Sequence, residues 1–169
     1  MIWLRTLLFA LTFVATVLVL IPMWIVQADG SANVGTGPGR YVGPLLIAAG
    51  TILMVWCWGS FAIRGRGTPA PFDPPRRLVI SGPYRYVRNP MYIAGIVILL
   101  GLAALFDAEP LLAYAAGFWL VTHLFVVGYE ERALARKFGA EYAAYRAAVG
   151  RWIPRSVIPY EGEGAGRDE

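Results

Sequence analysis

The chain has 169 residues, 57% of them hydrophobic and only 15% charged, which excludes an ordinary soluble domain of that length and points to the bilayer as solvent. Basic residues outnumber acidic ones 15 to 11, a modest excess that suits anionic headgroups better than nucleic acid once its placement is followed. The lone cysteine, Cys57, lies in an apolar run and His123 is the lone histidine, so a disulfide framework, a Cys-rich metal site and a zinc or di-iron centre are all disfavoured. Lys137 is the one lysine, a bias that reads as the codon usage of a GC-rich genome.

Leu7 to Val26 is an uncharged run of about 20 residues, the length that a helix needs to cross a hydrocarbon core about 30 Å thick. A cleaved signal peptide is its rival reading, because Arg5 precedes the run, Pro22 breaks it and Val26-Gln27-Ala28 resembles a cleavage site. A Gly/Ser/Asn-rich loop follows from Asp29 to Arg40. Tyr41 to Ile63 is the second span, with Trp56 and Trp58 near its end, where an aromatic belt is expected.

From Arg64 to Pro90 the sequence carries six arginines together with Pro69, Pro71, Pro74, Pro75, Pro83 and Pro90. That density of proline forbids a continuous helix and predicts an irregular loop over the cytosolic mouth. Met91 to Phe106 and Leu111 to Tyr129 are two further apolar runs, joined only by Asp107-Ala108-Glu109-Pro110, which predicts a tight helical hairpin whose first arm is short for a span. Leu134, Phe138, Tyr142, Tyr145 and Val149 then recur at helical spacing, predicting an amphipathic helix over about 130–149 that Gly150 ends. Residues 161–169, rich in Gly and Glu, read as a disordered tail.

The expected fold is therefore all-α: a single membrane domain over residues 1–160, with about four spans (7–26, 41–63, 91–106 and 111–129) and the amphipathic C-terminal helix. Arg64 to Arg88 and Arg132 to Arg155 fall on one side of such a bundle, and short Arg-rich loops stay in the cytoplasm. Both termini are then expected in the cytoplasm, of a bacterial inner membrane.

Two clusters could carry chemistry. Ser81-Gly-Pro-Tyr84-Arg85-Tyr-Val-Arg88-Asn89-Pro-Met-Tyr92 leads into the third span. Its tyrosines and arginines suit an interfacial anchor; equally, two guanidinium groups can hold a carboxylate or phosphate, phenol rings can stack on a purine, and Asn89 can make directional hydrogen bonds. The second cluster is His123 with Glu130 and Glu131 at the end of the fourth span. Seven residues separate His123 from Glu130, which in an α-helix puts them on one face, and an imidazole within an apolar span is a functional candidate. Glu131 could equally pair with a loop arginine.

Gly82-Pro-Tyr-Arg-Tyr-Val-Arg-Asn-Pro-Met-Tyr92, then Glu130-Glu-x-x-Leu134-x-x-x-Phe138-Gly-x-Glu-Tyr142-x-x-Tyr145 and Arg151-Trp-Ile-Pro154, resemble the isoprenylcysteine carboxyl methyltransferases and the related phospholipid methyltransferases. The resemblance covers Gly65 to Pro154, and the first two spans carry no signature. It implies an integral membrane enzyme that binds S-adenosylmethionine from the cytosol and methylates a lipophilic acceptor. The acceptor would be the carboxylate of a prenylated cysteine-like compound or a lipid amine, with membrane lipids as partners. Tyr84, Arg88, Asn89, Tyr92 and one or both of Glu130 and Glu131 would line the cofactor pocket, with Arg85 and His123 as further candidates. The family usually has His at the position of Asn89, and Asn cannot act as a base near neutral pH. Proton removal would then fall to Glu130, Glu131, His123 or the acceptor itself. Two other readings compete: an NADPH-dependent membrane reductase, since sterol reductases are similar in their C-terminal helices, and a non-catalytic membrane partner or lipid-binding protein with a degenerate pocket.

Overall fold

Apolar runs of this length must satisfy their backbone polar groups internally, and helices do so within one segment. The computed structural model describes residues 12, 14–31, 33–60 and 78–156. It contains a π turn (Thr16–Leu20), α1 (Ile21–Ala28), α2 (Gly39–Ser60), a 3₁₀ turn (Gly82–Arg85), α3 (Pro90–Phe106), α4 (Glu109–Phe125), a second π turn (Val126–Glu130) and α5 (Glu131–Ala148). No strand occurs among the described residues beyond one bridge, between Val87 and Gly150. The start of the expected first span, the Arg- and Pro-rich stretch 61–77 and the tail 161–169 lie outside the described residues. Gly39–Ser60 and the continuous Glu109–Ala148 are long and apolar enough to cross a membrane, while Thr16–Ala28 and Pro90–Phe106 are shorter apolar helices.

The described residues divide into two compact units, one within Met1–Met54 and Tyr92–His123, the other within Val55–Met91 and Leu124–Glu169. In the first, glycines let two backbones meet. A Cβ on Gly39 would lie 2.1 Å from the Ala104 carbonyl oxygen, one on Gly43 2.7 Å from that of Gly101, and one on Gly50 2.8 Å from that of Ala94. No other residue fits there unless α2 and α3 part, which is the close approach that small residues permit between membrane helices. Val26, Ala103, Ala108 and Leu111 form the adjoining core, flanked by Met23, Ile25, Leu102 and Phe106.

Pro22 does not break the first helix, contrary to the sequence reading. The π turn precedes it, with the Ile21 N–H bonded to the Thr16 carbonyl, so the next partner in that register would be Pro22 for Val17. Proline has no N–H to give. The Tyr114 hydroxyl donates instead to the Val17 carbonyl at 2.9 Å.

The expected hairpin between α3 and α4 is present, and it turns on Asp107, which takes a left-handed φ of 52°. The Ala108 N–H returns to the Ala103 carbonyl at 3.1 Å, and the Gly35 N–H takes the Leu105 carbonyl at 2.9 Å. Together these satisfy carbonyls that the end of α3 leaves without helical partners.

In the second unit the expected amphipathic face is realised. Tyr142, Tyr145 and Val149 are buried in one cluster, with Leu134, Phe138, Leu78 and Ile80 packed against it. The helix carrying that face is bent at Gly139, whose φ of 50° and ψ of −121° are non-helical, a conformation that glycine adopts readily. Val149 takes extended backbone and closes the helix, and the Arg155 guanidinium donates to the Ala147 carbonyl at 2.6 Å.

Candidate functional site

The chemistry-bearing segment starts where Ser81, in extended backbone, gives way to a 3₁₀ turn. Gly82 has a φ of +55°, and a Cβ there would sit 2.8 Å from both Ser60 Oγ and Trp56 Nε1, so glycine is required on conformational and steric grounds. The turn points Tyr84 into the unit, where it is buried and its hydroxyl is hydrogen-bonded to Cys57. Val87 then bridges to Gly150, and the Arg88 N–H donates to the Gly150 carbonyl at 2.9 Å. Asn89, also buried, donates from Nδ2 to the Arg151 carbonyl at 3.2 Å. Two consecutive residues of the loop thus fasten the backbone that follows α5.

The side chains add a second fastening. Glu131, at the start of α5, accepts from Arg151 Nε at 2.7 Å and from Arg151 Nη2 at 3.0 Å, a bidentate fork. The same carboxylate faces Arg88 Nη1 at 2.8 Å, with the Arg88 side chain 6% exposed. Arg88 Nη1 also donates to the Tyr142 hydroxyl at 3.1 Å, and the Tyr145 hydroxyl donates to the Tyr84 carbonyl at 2.7 Å. Among the described residues of this unit, two buried polar atoms have no hydrogen-bond partner, Ser81 Oγ and Arg88 Nε.

The charges set the protonation states. Burial pushes the Glu131 carboxyl up, but the Arg151 hydrogen bond and the charges of Arg88, Arg151 and Arg146 outweigh it and hold the group below its ordinary value. The Arg151 guanidinium is raised, first by its bond to Glu131. Burial pushes the Tyr145 phenol well up; it also raises Tyr142, with the Glu131 charge adding to the effect. Tyr84 is raised by burial first and then by Cys57, Glu130 and Tyr145. These phenols stay protonated at neutral pH and act as hydrogen-bond donors and acceptors, not as bases.

Of the residues singled out in the sequence, the second unit brings together Tyr84, Arg88, Asn89 and Glu131. Glu130 ends the π turn beside Glu131 and is half-buried, and Arg85 is half-buried at the end of the 3₁₀ turn. Tyr92 and His123 belong to the first unit. Both are half-buried, and His123 stacks on Trp119 with ring centroids 5.3 Å apart. The seven-residue spacing between His123 and Glu130 does not carry the inference drawn from it, because the intervening Val126–Glu130 is π-helical. A π turn bonds i to i+5 and winds less per residue, so the α-helical register does not hold across it.

Sequence reasoning missed Arg151, read only as part of a segment returning to the interface, and it missed the hydroxyls of Tyr142 and Tyr145, read only as apolar face. Their place in the quoted motifs was the available signal.

The family model for phospholipid methyltransferases matches residues 39–141. The chain belongs to the phospholipid methyltransferase family. The match takes in α2, where the sequence showed no signature of its own. Among curated proteins, the chain is 31% identical over 132 residues to the cobalt-zinc-cadmium resistance protein CzcN of Cupriavidus metallidurans, covering 74% of this chain and 56% of that protein. It is 29% identical over 114 residues to the nickel-cobalt-cadmium resistance protein NccN of Alcaligenes xylosoxydans xylosoxydans, covering 68% and 49%. The chain spans about half the length of these relatives. No solved structure matches it.

Proposed function

We propose that this member of the family is a membrane methyltransferase that uses S-adenosylmethionine, bound among Tyr84, Arg85, Arg88, Asn89, Glu130 and their neighbours in the second unit, to methylate a lipophilic acceptor. The observation that carries the reading is the buried Arg88 side chain, held by Glu131 while its Nε has no partner among the described residues, inside the segment that the family model matches. The donors present suit a zwitterionic, carboxylate-bearing cofactor: a guanidinium and a serine hydroxyl for its anionic end, and tyrosine rings for its purine. Bound there, S-adenosylmethionine would supply an electrophilic methyl on a sulfonium.

The protein's own part is alignment and water exclusion. A carboxylate acceptor, as on a prenylated cysteine, needs no base. For a lipid amine the base would be Glu130, because Glu131 already has both oxygens engaged by arginines. The membrane reading follows the same logic. Four spans put both termini in the cytoplasm of a bacterial inner membrane, and the bonds from Arg88 and Asn89 to Gly150 and Arg151 support a single side for the two basic segments.

Isothermal titration of the protein in lipid nanodiscs tests this. S-adenosylmethionine and S-adenosylhomocysteine should bind saturably and NADPH should not, with Glu130→Ala weakening binding at unchanged yield. Binding of NADPH alone would move the chain to the reductases, and binding of neither would favour a lipid-binding partner protein.

The names of the two relatives favour a second reading, in which the methylated product serves resistance to metals. Growth of a deletion strain on cobalt, zinc and cadmium, complemented by wild type and by Glu130→Ala, checks it; equal rescue by both would separate resistance from methyl transfer.

A further inference from the structure

Arg151 has no assigned role, yet it is fixed from both ends. Its carbonyl receives the Asn89 side chain at 3.2 Å, and its guanidinium grips Glu131 through two bonds of 2.7 and 3.0 Å. Glu131 in turn holds Arg88 Nη1 at 2.8 Å, and the exposures of those two side chains are 9% and 6%. The Tyr142 hydroxyl lies on the same Arg88 nitrogen, so Arg88 is oriented by one carboxylate and one phenol. What remains of its donor set includes Nε, which is buried and has no hydrogen-bond partner among the described residues.

Two physical arguments converge on what that arrangement is for. A buried N–H left unsatisfied costs free energy, more when it belongs to a charged group, so its retention points to a partner beyond the described residues. The triad of Arg88, Glu131 and Arg151 also contains two cations and one anion. A buried cluster with net positive charge is stabilised by an anion that completes it.

We propose that Arg151 is a positioning residue: by clamping Glu131 it orients Arg88 so that the Nε–H is offered to the carboxylate of the bound cofactor. This rests on the methyltransferase reading and adds to it a residue that never touches the ligand. It also gives position 89 a task that asparagine performs as well as histidine, because what the Arg151 carbonyl requires is an N–H donor. The departure from the family pattern is then compatible with an active site.

The test compares two ligands that differ by the carboxylate alone, S-adenosylmethionine and its decarboxylated form, titrated into wild type, Arg151→Met and Arg151→Lys in nanodiscs. Wild type should prefer the carboxylate-bearing ligand by about tenfold or more, the scale of one charge-assisted bond. Arg151→Met should bring that preference to within about threefold while binding of the decarboxylated ligand changes little. Arg151→Lys, which keeps the charge but loses the fork, should fall between, and it carries the test if Arg151→Met is not recovered folded. An equal loss of both ligands, or a preference unchanged in the variants, overturns the proposal and leaves the methyltransferase reading standing. A wild type that binds neither ligand overturns that reading and this proposal together.

Discussion

The two units of the chain are held together by different physics. In the first, α2 and α3 meet backbone to backbone at Gly39, Gly43, Gly50 and Gly101, with an apolar core of Val26, Ala103, Ala108 and Leu111 alongside. In the second, the loop before α3 and the segment after α5 are joined by hydrogen bonds and a buried carboxylate between two guanidinium groups. The difference follows from the solvent. Apolar side chains gain little by meeting one another in lipid, so close packing must supply the association there. A polar loop region can use charge, at the cost of desolvating it. The first arrangement is sensitive to volume and the second to charge and protonation.

The largest effect should come from breaking the charge cluster. Glu131→Ala leaves Arg88, 6% exposed, without its counter-ion, and removing one partner of a buried pair costs about 3–5 kcal/mol. Thermal unfolding in detergent should show a correspondingly large drop, whereas Arg146→Ala, at an exposed position, should show almost none. The same cluster predicts acid sensitivity. The folded Glu131 carboxyl is held below its ordinary value, so its contribution is fully present above the unfolded value of about 4.3 and is lost as pH falls through the lower folded value. Acid titration should therefore release amide protection in Tyr84–Asn89 and Glu131–Arg151 before it does in α2 and α3. Simultaneous loss would count against the contrast.

Volume is the lever in the first unit. A Cβ at Gly43 would meet the Gly101 carbonyl oxygen and the Leu105 Cβ, each at 2.7 Å, and neither can withdraw without separating the helices. Gly43→Leu should cost about 2 kcal/mol, within the usual range for overpacking. Hydrogen exchange should locate the loss in Gly39–Ser60 and Pro90–Phe106, with the Glu131 cluster retaining its protection.

These two regions were not equally legible in the sequence. Apolar length and charge placement define α2, the short α3 and the hairpin at Asp107, because burial in lipid imposes a requirement on composition that can be read residue by residue. The face of Leu134, Phe138, Tyr142, Tyr145 and Val149 was legible from its helical spacing. What stayed hidden was whatever depends on a partner distant in sequence. Arg151 meets Glu131 across 20 positions and Asn89 across 62, and no periodicity encodes such a meeting. The π turns were hidden as well. The turn before Pro22 makes a proline tolerable that the sequence alone reads as a break, and the turn at Val126–Glu130 undoes the register inferred for His123 and Glu130.

The smallest prediction sets one hydroxyl of each unit against the other. Tyr145 Oη donates to the Tyr84 carbonyl at 2.7 Å in a buried setting, and Tyr114 Oη donates to the Val17 carbonyl at 2.9 Å in a half-buried one. Each bond serves a carbonyl, but the alternatives open to that carbonyl differ. Tyr84 and Tyr145 are both buried, so Tyr145→Phe leaves the oxygen unsatisfied and should cost about 1–2 kcal/mol. The Val17 carbonyl lies within an apolar helix, where polar bonds average about 0.6 kcal/mol because the unfolded segment also finds partners in the membrane. Tyr114→Phe should therefore cost less, a difference that paired thermal midpoints can resolve. Equal costs, or a larger one for Tyr114, would mean that the two units do not differ in how they value a buried hydrogen bond.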